Sequence, residues 1–270
     1  MRRCPICETQ GKEIFKGKIL QKYEVQYYQC PTCAFIYTDS PYWLPEAYSG
    51  NNAIVDIDTG IMQRNVTDVL LVNMLVKLCF SAGKYFLDWG GGYGIFTRMM
   101  RDLGYNWLWY DKYSENLVAR GFEYCDFAES GKREKIDLIT AFELFEHFDN
   151  PLKEIEELLS VSKNILFSTE IYDDDFVYKN LKDWWYYAPQ TGQHIGFYSK
   201  KTLEYLAKMN HVHYYKINNG MHLFTERKIS ITKIKLLTNS YSWLMQYYLY
   251  HVNRKKGLAI QDMQVMIERE

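Results

Sequence analysis

Alternating glycines follow a short apolar run near position 90. The segment reads DWGGGYG and contains Asp88 followed by Gly90, Gly92 and Gly94. Glycine lacks a β-carbon, so the backbone there can turn sharply and approach a ligand closely. The dinucleotide fingerprint, counted from Gly90, needs a glycine at position 95, where Ile95 stands instead. The loop therefore predicts a ligand site that departs from the dinucleotide pattern.

An acidic residue stands where a ribose could bind. Asp111 ends the second predicted strand, about twenty residues after the glycines. A carboxylate at this place can accept hydrogen bonds from both ribose hydroxyls, which predicts a cofactor contact for Asp111. The alternative is an ordinary solvated acid in a loop.

Two glutamates and two histidines are the candidates for catalysis. Glu143, Glu146 and His147 follow one predicted strand, and His194 ends a long segment after another. In one interpretation His147 or His194 is a general base, because imidazole titrates near neutral pH. In a second, all four residues hold a divalent metal that binds and acidifies a hydroxyl group. In a third, Glu146 and His147 only cap or bridge the following helix.

Four of the six cysteines form two C-x-x-C pairs, separated by a strand-like segment over residues 14–29. Four thiolates complete a closed tetrahedral shell for Zn²⁺, and such an ion substitutes for a core too small to fold alone. The spacing predicts a structural zinc ribbon with ligands Cys4, Cys7, Cys30 and Cys33. An inactive remnant or a redox pair is the alternative, although no thioredoxin-like context accompanies the pairs.

The composition bears on location and partners. The formal net charge is −1 and the pI is near 6.6, without the basic character of a nucleic-acid-binding domain. The first ten residues lack the apolar core of a signal peptide, and the longest apolar stretch, 69–80, contains Asn73 and Lys77. We therefore expect a cytoplasmic protein with reduced thiols. Cys79 and Cys125 have no ligand-like partner and are predicted to be packed in the core.

Strands and helices alternate through the middle of the chain. An amphipathic period predicts a helix over 66–80. Short apolar runs predict strands at 85–87, 107–110, 136–142 and 165–167. This alternation predicts a parallel sheet with right-handed crossovers.

Capping and turn residues refine these elements. Asn150 and Pro151 predict a helix start, and Ser199 predicts another. The segments 212–217 and 221–225 flank Asn218-Asn219-Gly220, a strong hairpin signal. An antiparallel hairpin is therefore expected to close the mostly parallel sheet.

These features together resemble class I S-adenosylmethionine-dependent methyltransferases. The Asp-x-Gly-x-Gly-x-Gly spacing matches the family signature, and the segment 141–151 (AFELFEHFDNP) resembles a motif of a group that includes ubiquinone-pathway O-methyltransferases. The segment 193–199 (QHIGFYS) is similar to that group's entry into its last helix. The resemblance covers about residues 66–225.

The resemblance implies a fold, a cofactor and a reaction. The implied fold is α/β, with a Rossmann-like mostly parallel sheet and a C-terminal antiparallel hairpin. The implied reaction is an SN2 transfer of methyl from the sulfonium of S-adenosylmethionine to a nucleophile. Further cofactor contacts are implied for Asp126, near the adenine amino group, and for Phe127 and Phe142. The Glu-x-x-Glu-His pattern with a later histidine is similar to small-RNA and ubiquinone O-methyltransferases that use a metal.

Four divisions are predicted along the chain. They are a zinc-ribbon-like module over 1–38, a linker or lid over 39–65, the methyltransferase domain over 66–226, and a helical tail over 227–270. The tail could be a homodimer helix, a wall of the site or a weak interfacial anchor.

The acceptor is expected to bind beside the long segment 170–193, which carries the acidic run 173–175 and the ring-rich run 184–187. The zinc module is similar to those of sugar methyltransferases and of some RNA methyltransferases. Since binding phosphates needs clustered Lys and Arg, the balanced charge favours a small molecule, and we expect a sugar or glycan precursor hydroxyl. The alternatives are an RNA methyltransferase and a cofactor-binding partner subunit without turnover.

Overall fold

The structure is a computed structural model that describes residues 2–49, 59–129, 134–173, 181–239, 241–252 and 255–268. Its strands are β1 (Lys12–Ile19), β2 (Tyr23–Gln29), β3 (Ile36–Thr38), β4 (Tyr85–Trp89), β5 (Asn106–Tyr110), β6 (Ile136–Ala141), β7 (Ile165–Ser168), β8 (Ile171–Tyr172), β9 (Gly196–Ser199), β10 (His213–Lys216) and β11 (Met221–Thr225). Its helices are α1 (Leu44–Ala47), α2 (Ile61–Cys79), α3 (Ile95–Asp102), α4 (Tyr124–Glu129), α5 (Pro151–Val161), α6 (Lys200–Met209), α7 (Ile231–Thr238), α8 (Ser242–Val252) and α9 (Ala259–Ile267). Short 3₁₀ turns cover Phe145–His147, Leu181–Asp183 and Trp185–Tyr187.

The chain divides into two compact units. The first contains residues 1–58, 143–160 and 167–226, and the second contains residues 59–142, 161–166 and 227–270. The boundaries predicted at 38, 65 and 226 divide the chain by the expected role of each segment, not by compactness. They stay a prediction. Part of the expected lid, 50–58, and the acidic residues Asp174 and Asp175 lie outside the described residues.

The first unit contains a five-stranded sheet in the order β1-β2-β3-β9-β8. β1 and β2 pair antiparallel, from Lys12 opposite Gln29 to Ile19 opposite Tyr23. β3 joins β2 to β9, where Ile36 lies opposite Phe197. The strands expected between the cysteine pairs are thus present, and their sheet continues into β9.

The capping and turn residues of the first unit behave as predicted. α5 begins at Pro151, and the Asn150 side chain accepts a hydrogen bond from the Lys153 amide at 3.3 Å. Ser199 caps α6 by accepting from the Thr202 amide at 3.2 Å. β10 and β11 form the predicted antiparallel hairpin, from His213 opposite Thr225 to Lys216 opposite His222.

The second unit is built on three parallel strands, with β4 between β5 and β6. Aromatic side chains fill its core. The Phe86 and Trp107 rings stack with centroids 4.7 Å apart, and Phe96 meets Trp107 edge-on at 5.4 Å. Together with the hairpin, these strands confirm the predicted α/β class with a mostly parallel sheet.

Two predictions about the second unit need correction. Helix α2 begins at Ile61, five residues before the predicted start at Val66. The prediction missed these first turns because they are mostly exposed and carry no apolar period. Cys125 is exposed rather than packed, since it lies on the short surface helix α4. Cys79 is partly buried, and burial raises the pKa of its thiol.

A buried ion pair holds the tail helix α9 within the second unit. The Arg101 guanidinium donates to both carboxylate oxygens of Asp262, at 2.7 and 2.6 Å, and to the Trp107 carbonyl at 3.0 Å. Arg98 approaches the same carboxylate at 2.8 Å. Within the described residues, no helix is long and apolar enough to cross a membrane.

We expect Asp262→Ala to lower the free energy of unfolding by about 3–5 kcal/mol, because it leaves the Arg101 charge buried without its carboxylate partner. The control is Asp102→Ala, which removes the exposed carboxylate that pairs with Arg98 at 2.9 Å. That exposed pair should contribute less than about 1 kcal/mol. Urea denaturation monitored by fluorescence measures both variants. Equal losses in the two variants would contradict a structural role for the buried pair.

Candidate functional site

The glycine loop turns sharply between β4 and α3 in the second unit. Gly90, Gly92 and Gly94 have φ angles of 76°, 52° and 84°, a region that L side chains rarely adopt. The Gly90 amide donates to the Tyr110 carbonyl at 2.8 Å, which fixes the loop against the end of β5. A β-carbon on Gly92 would meet no atom within 4 Å. The loop therefore leaves open space at Gly92, where a ligand can approach the backbone.

Two aspartates hold this loop in place. Asp111 accepts hydrogen bonds from the amides of Gly92, Tyr113 and Ser114, at 2.9, 2.8 and 2.8 Å. Asp88 is buried and accepts from the Thr140 hydroxyl at 2.9 Å. Burial raises the pKa of Asp88 to about 7, against the hydrogen bonds from the threonine hydroxyls. The Asp111 carboxylate thus lies beside the glycine loop. Its contact with a ribose stays a prediction.

The remaining predicted cofactor contacts lie in different surroundings. The Phe142 ring meets Phe96, in the first turn of α3, with centroids 5.1 Å apart. The Phe127 ring packs on Tyr85 at 4.8 Å, at the opposite end of β4 from the glycines. Asp126 is exposed on α4. Their roles toward a cofactor also stay predictions.

Three of the four predicted catalytic residues meet in the first unit. One ligand atom each of Glu146, His147 and His194 lie within 4.8 Å of one another. Glu146 and His147 sit in the 3₁₀ turn Phe145–His147, where the Phe145 ring stacks on Phe167 at 4.0 Å. The Ile195 amide donates to the Glu146 carbonyl at 2.9 Å, which joins the later segment to this turn.

Backbone carbonyls fix the tautomer of both histidines. His147 Nδ1 lies 3.1 Å from the Gln193 carbonyl oxygen, and His194 Nδ1 lies 2.6 Å from the Tyr186 carbonyl oxygen. Because a carbonyl can only accept, both Nδ1 atoms carry the hydrogen and both Nε2 atoms keep a lone pair. His147 Nε2 lies 3.9 Å from Glu146 Oε1. The two lone pairs and the carboxylate are therefore the chemically available groups of the cluster.

The cluster is desolvated. Burial, with a contribution from His194, lowers the pKa of His147 to about 3, and burial also lowers that of His194. Burial and the nearby charge of Glu143 raise the pKa of Glu146 to about 8, against a smaller effect of the Tyr186 and Thr169 hydroxyls. Both imidazoles are consequently neutral at pH 7. Both Glu146 oxygens are buried and make no hydrogen bond of normal geometry with the described residues.

Glu143, the fourth predicted residue, is held apart from the cluster. Its backbone has a φ of 48°, uncommon for a residue other than glycine. The Ser168 hydroxyl donates to its carboxylate at 2.6 Å and accepts from its amide at 2.7 Å. Glu143 thus acts on Glu146 through its charge rather than as a member of the three-residue group.

Sequence reasoning missed several residues that support the cluster. The Tyr48 hydroxyl lies 3.1 Å from His147 Nδ1, and the Gln193 side-chain amide donates to the Ala47 carbonyl at 2.7 Å. The buried Tyr186 hydroxyl lies 3.1 Å from that of Thr169. Tyr48, Tyr186 and Gln193 lie in segments that the sequence analysis singled out, but their contacts with the cluster were not predicted, because each joins parts of the chain that are distant in sequence.

The ring-rich run 184–187 divides between core and surface. Tyr186 and Tyr187 are buried, and Tyr187 packs edge-on against Tyr27 with centroids 5.5 Å apart. Trp185 is 71% exposed, and its ring meets Tyr186 at 5.3 Å. Tyr186 in turn contacts the His194 ring at 4.5 Å. An exposed indole therefore lies two ring contacts away from the catalytic candidates.

The four paired cysteines converge elsewhere in the first unit and could hold a metal ion. Sulfur atoms lie 3.6 Å apart for Cys4 and Cys33, 3.3 Å for Cys7 and Cys30, and 3.8 Å for Cys7 and Cys33. The Cys33 amide points to the Cys30 sulfur at 3.4 Å. The Cys33 thiol's hydrogen bond lowers the pKa of Cys4 to about 6, although burial opposes this.

Comparisons with known proteins agree with the fold. The sequence model of a methyltransferase domain family matches residues 62–210, more than half of the chain. No curated protein sequence matches the chain significantly.

Two solved structures are similar in fold. An O-methyltransferase family protein from Burkholderia thailandensis has 15% identity and a TM-score of 0.50, over 69% of this chain and 63% of its own. The plantazolicin methyltransferase BpumL, solved in complex with SAH (S-adenosylhomocysteine), has 15% identity and a TM-score of 0.51. That match covers 77% of this chain and 89% of the other. The chain thus spans less than two thirds of the length of the Burkholderia protein.

Proposed function

Because this chain belongs to the methyltransferase domain family, we propose that it transfers a methyl group from S-adenosylmethionine to a hydroxyl of a small-molecule acceptor. The acceptor oxygen forms the new bond to the methyl carbon as the carbon–sulfur bond breaks, and S-adenosylhomocysteine leaves. The hydroxyl proton must depart in the same process, so the protein needs a group that lowers its pKa or accepts it.

The cofactor half of the proposal is supported by the glycine loop. Gly92 borders open space with its amide held by Asp111, which leaves the Asp111 carboxylate beside the position where a ligand would lie. The similar plantazolicin methyltransferase was solved with SAH. In the proposed complex, Asp111 accepts from the ribose hydroxyls, while Asp88 and the glycines keep the loop close to the ligand.

The Glu146 carboxylate carries the acceptor half of the proposal. A buried carboxylate without a hydrogen-bond donor is costly, unless a cation or a ligand completes its surroundings. Glu146 lies among two neutral imidazoles whose Nε2 lone pairs are available, and each Nδ1–H donates to a backbone carbonyl. Histidines that bind metals usually make this second hydrogen bond. We therefore favour the metal interpretation over the general base, with Glu146, His147 and His194 as ligands.

The donor set favours a particular class of ion. Two imidazole nitrogens and one carboxylate suit Mn²⁺, Fe²⁺ or Zn²⁺ better than Ca²⁺ or Mg²⁺, which prefer oxygen ligands. Such an ion, when bound, would lower the pKa of a coordinated hydroxyl. Glu143 would then strengthen the site through its negative charge, since it already acts on Glu146 and His194.

A sugar or glycan precursor is the proposed acceptor. The exposed Trp185 indole offers a flat apolar face near the cluster, suited to the C–H face of a sugar ring. Two of its neighbours, Tyr186 and Tyr187, are in the core and position that indole rather than contact a ligand.

A zinc ion is the proposed occupant of the cysteine cluster. With zinc–sulfur bonds of about 2.3 Å, tetrahedral geometry separates the sulfurs by about 3.8 Å. The Cys7–Cys33 and Cys4–Cys33 separations of 3.8 and 3.6 Å are close to that value, and the Cys7–Cys30 separation of 3.3 Å is shorter. The backbone amide of Ile6 points to the Cys4 sulfur at 3.5 Å. Hydrogen bonds of this kind to a ligand atom stabilise metal-bound thiolates.

We expect calorimetry to detect binding of S-adenosylhomocysteine, and Gly92→Arg to abolish it by filling the open space at that residue. Gly92→Ala is the matched control, because it carries the same backbone strain with a side chain too small to fill the site. Its affinity should fall by less than about thirtyfold, the equivalent of at most about 2 kcal/mol of strain. Binding of NAD without any signal for S-adenosylhomocysteine would overturn the cofactor assignment.

Purified protein should carry about one zinc ion per chain in the cysteine cluster. Cys30→Ser should lower the zinc content and loosen the first unit, with S-adenosylhomocysteine binding retained. The control is Cys125→Ser, which removes an exposed cysteine outside the cluster and should leave the zinc content unchanged. Mass spectrometry under native conditions measures the ion directly. A zinc-free chain with a fully folded amino terminus would refute this assignment.

The proposed catalytic metal site can be tested without an acceptor. After a weak chelator has removed loosely held ions, Mn²⁺ should bind with one equivalent by electron paramagnetic resonance. Glu146→Gln and His194→Ala should each weaken it at least tenfold, because each removes one of three ligands. His213→Ala, an exposed histidine outside the cluster, is the matched control and should bind Mn²⁺ normally.

The general-base alternative makes the opposite prediction. The chelator would then leave turnover unchanged, and Mn²⁺ would not bind. His147→Ala or His194→Ala would slow the chemical step without changing cofactor affinity. Activity that survives both the chelator and the two substitutions would leave transfer to alignment of the reactants alone.

A further inference from the structure

The tail carries a concentrated positive charge that the proposed reaction does not use. Between residues 227 and 261 there are seven Lys or Arg residues and neither Asp nor Glu, whereas the whole chain has a formal net charge of −1. The cations are Arg227, Lys228, Lys233, Lys235, Arg254, Lys255 and Lys256. Arg254 lies outside the described residues, and the other six are exposed. This segment of the second unit thus carries a formal charge of +7, whereas the other residues of the chain together carry −8.

Helix α8, inside this segment, exposes its apolar face. Trp243, Leu244, Tyr247, Tyr248 and Val252 are each between 51% and 62% exposed. Their spacing of one, three and four residues places them on one side of the helix, as does that of the exposed His251. A helix of a soluble domain normally turns such residues toward its core.

The opposite side of α8 packs on the second unit. Ser242, Gln246, Leu249 and Tyr250 are partly buried, and the Lys77 ammonium of α2 donates to the Leu249 carbonyl at 2.7 Å. The exposed face is therefore more apolar than the face that packs. The orientation is fixed by contacts with α2, so the aromatic face is a formed surface and not a frayed end.

The geometry points to binding of an anionic lipid bilayer by the exposed face of α8, with the exposed cations before and after this helix adding electrostatic attraction. Indole and phenol rings prefer the interface between headgroups and acyl chains, and Leu244 and Val252 can enter the hydrocarbon. Lysines close to an anionic surface each strengthen binding by about 1 kcal/mol. The cations of the acid-free segment precede and follow the α8 rings in sequence, at 227–235 and 254–256.

Two other occupants fit this surface less well. A symmetric dimer would bring the same cations of two chains together, which costs energy through like-charge repulsion. A nucleic acid would satisfy the lysines and stack on the rings, but it gives exposed aliphatic side chains such as Leu244 and Val252 no favourable contact.

The test is flotation of the full-length protein with vesicles of phosphatidylcholine, with and without 30% phosphatidylglycerol. We expect binding only to the anionic vesicles, and weaker binding as NaCl rises from 0.1 to 0.5 M. Lys233→Glu with Lys235→Glu should weaken binding at least about thirtyfold, because two attractions of about 1 kcal/mol are lost. Trp243→Ser with Tyr247→Ser should weaken it at least about tenfold through lost apolar burial.

The matched control reverses two exposed lysines on α6, Lys201→Glu with Lys208→Glu, which changes the total charge by the same amount. This control should retain binding, and all three variants should keep the wild-type Tm and affinity for S-adenosylhomocysteine. Absence of vesicle binding, or equal loss in the control, would overturn the proposal. So would tighter binding to a single-stranded RNA than to vesicles, or a dimer in ultracentrifugation that Trp243→Ser with Tyr247→Ser dissociates.

Discussion

The desolvation of one carboxylate constrains the chemistry of the first unit. Glu146 is buried and makes no hydrogen bond of normal geometry with the described residues, and burial raises its pKa to about 8 because it disfavours the charged form. Several contacts nevertheless hold Glu146 in this buried position. The aromatic stack of Phe145 on Phe167 holds the turn, and the Ile195 amide ties His194 to the same place. A cation at this point would relieve the desolvation cost, which is the physical basis for preferring a metal site.

The same burial determines what the histidines can do. An imidazole with a pKa near 3, as for His147, is neutral at physiological pH and is a weak base for a proton from solvent. A neutral imidazole with its Nδ1–H fixed on a carbonyl is, in contrast, well prepared to bind a metal ion. The strained Glu143 backbone places a further negative charge nearby, and such strain is commonly retained at functional sites.

A feature of the fold or the site could be predicted from the sequence where residues close together in the chain determine it. The glycine loop, the Asn150 and Ser199 caps and the hairpin turn were predictable, because short-range sterics and hydrogen bonds define them. The early start of α2 was not, since its exposed first turns lack an apolar period. Convergence of His194 with Glu146 was expected from strand ends, but the exclusion of Glu143 depends on Ser168, a contact across 25 residues of sequence. The exposure of the apolar face of α8 could not be predicted from the sequence either, because only its packing on α2 shows which side of the helix is exposed.

Transfer of a labelled methyl group measures most directly whether the protein methylates a hydroxyl of a small molecule. The protein would be incubated with methyl-labelled S-adenosylmethionine, Mn²⁺ and a panel of nucleotide sugars, catechols and RNA, and the products analysed by mass spectrometry. We predict a labelled O-methyl group on a sugar, one S-adenosylhomocysteine per methyl, and loss of both products in Glu146→Gln. Label in RNA, or cofactor binding without transfer to any acceptor in the panel, would contradict it.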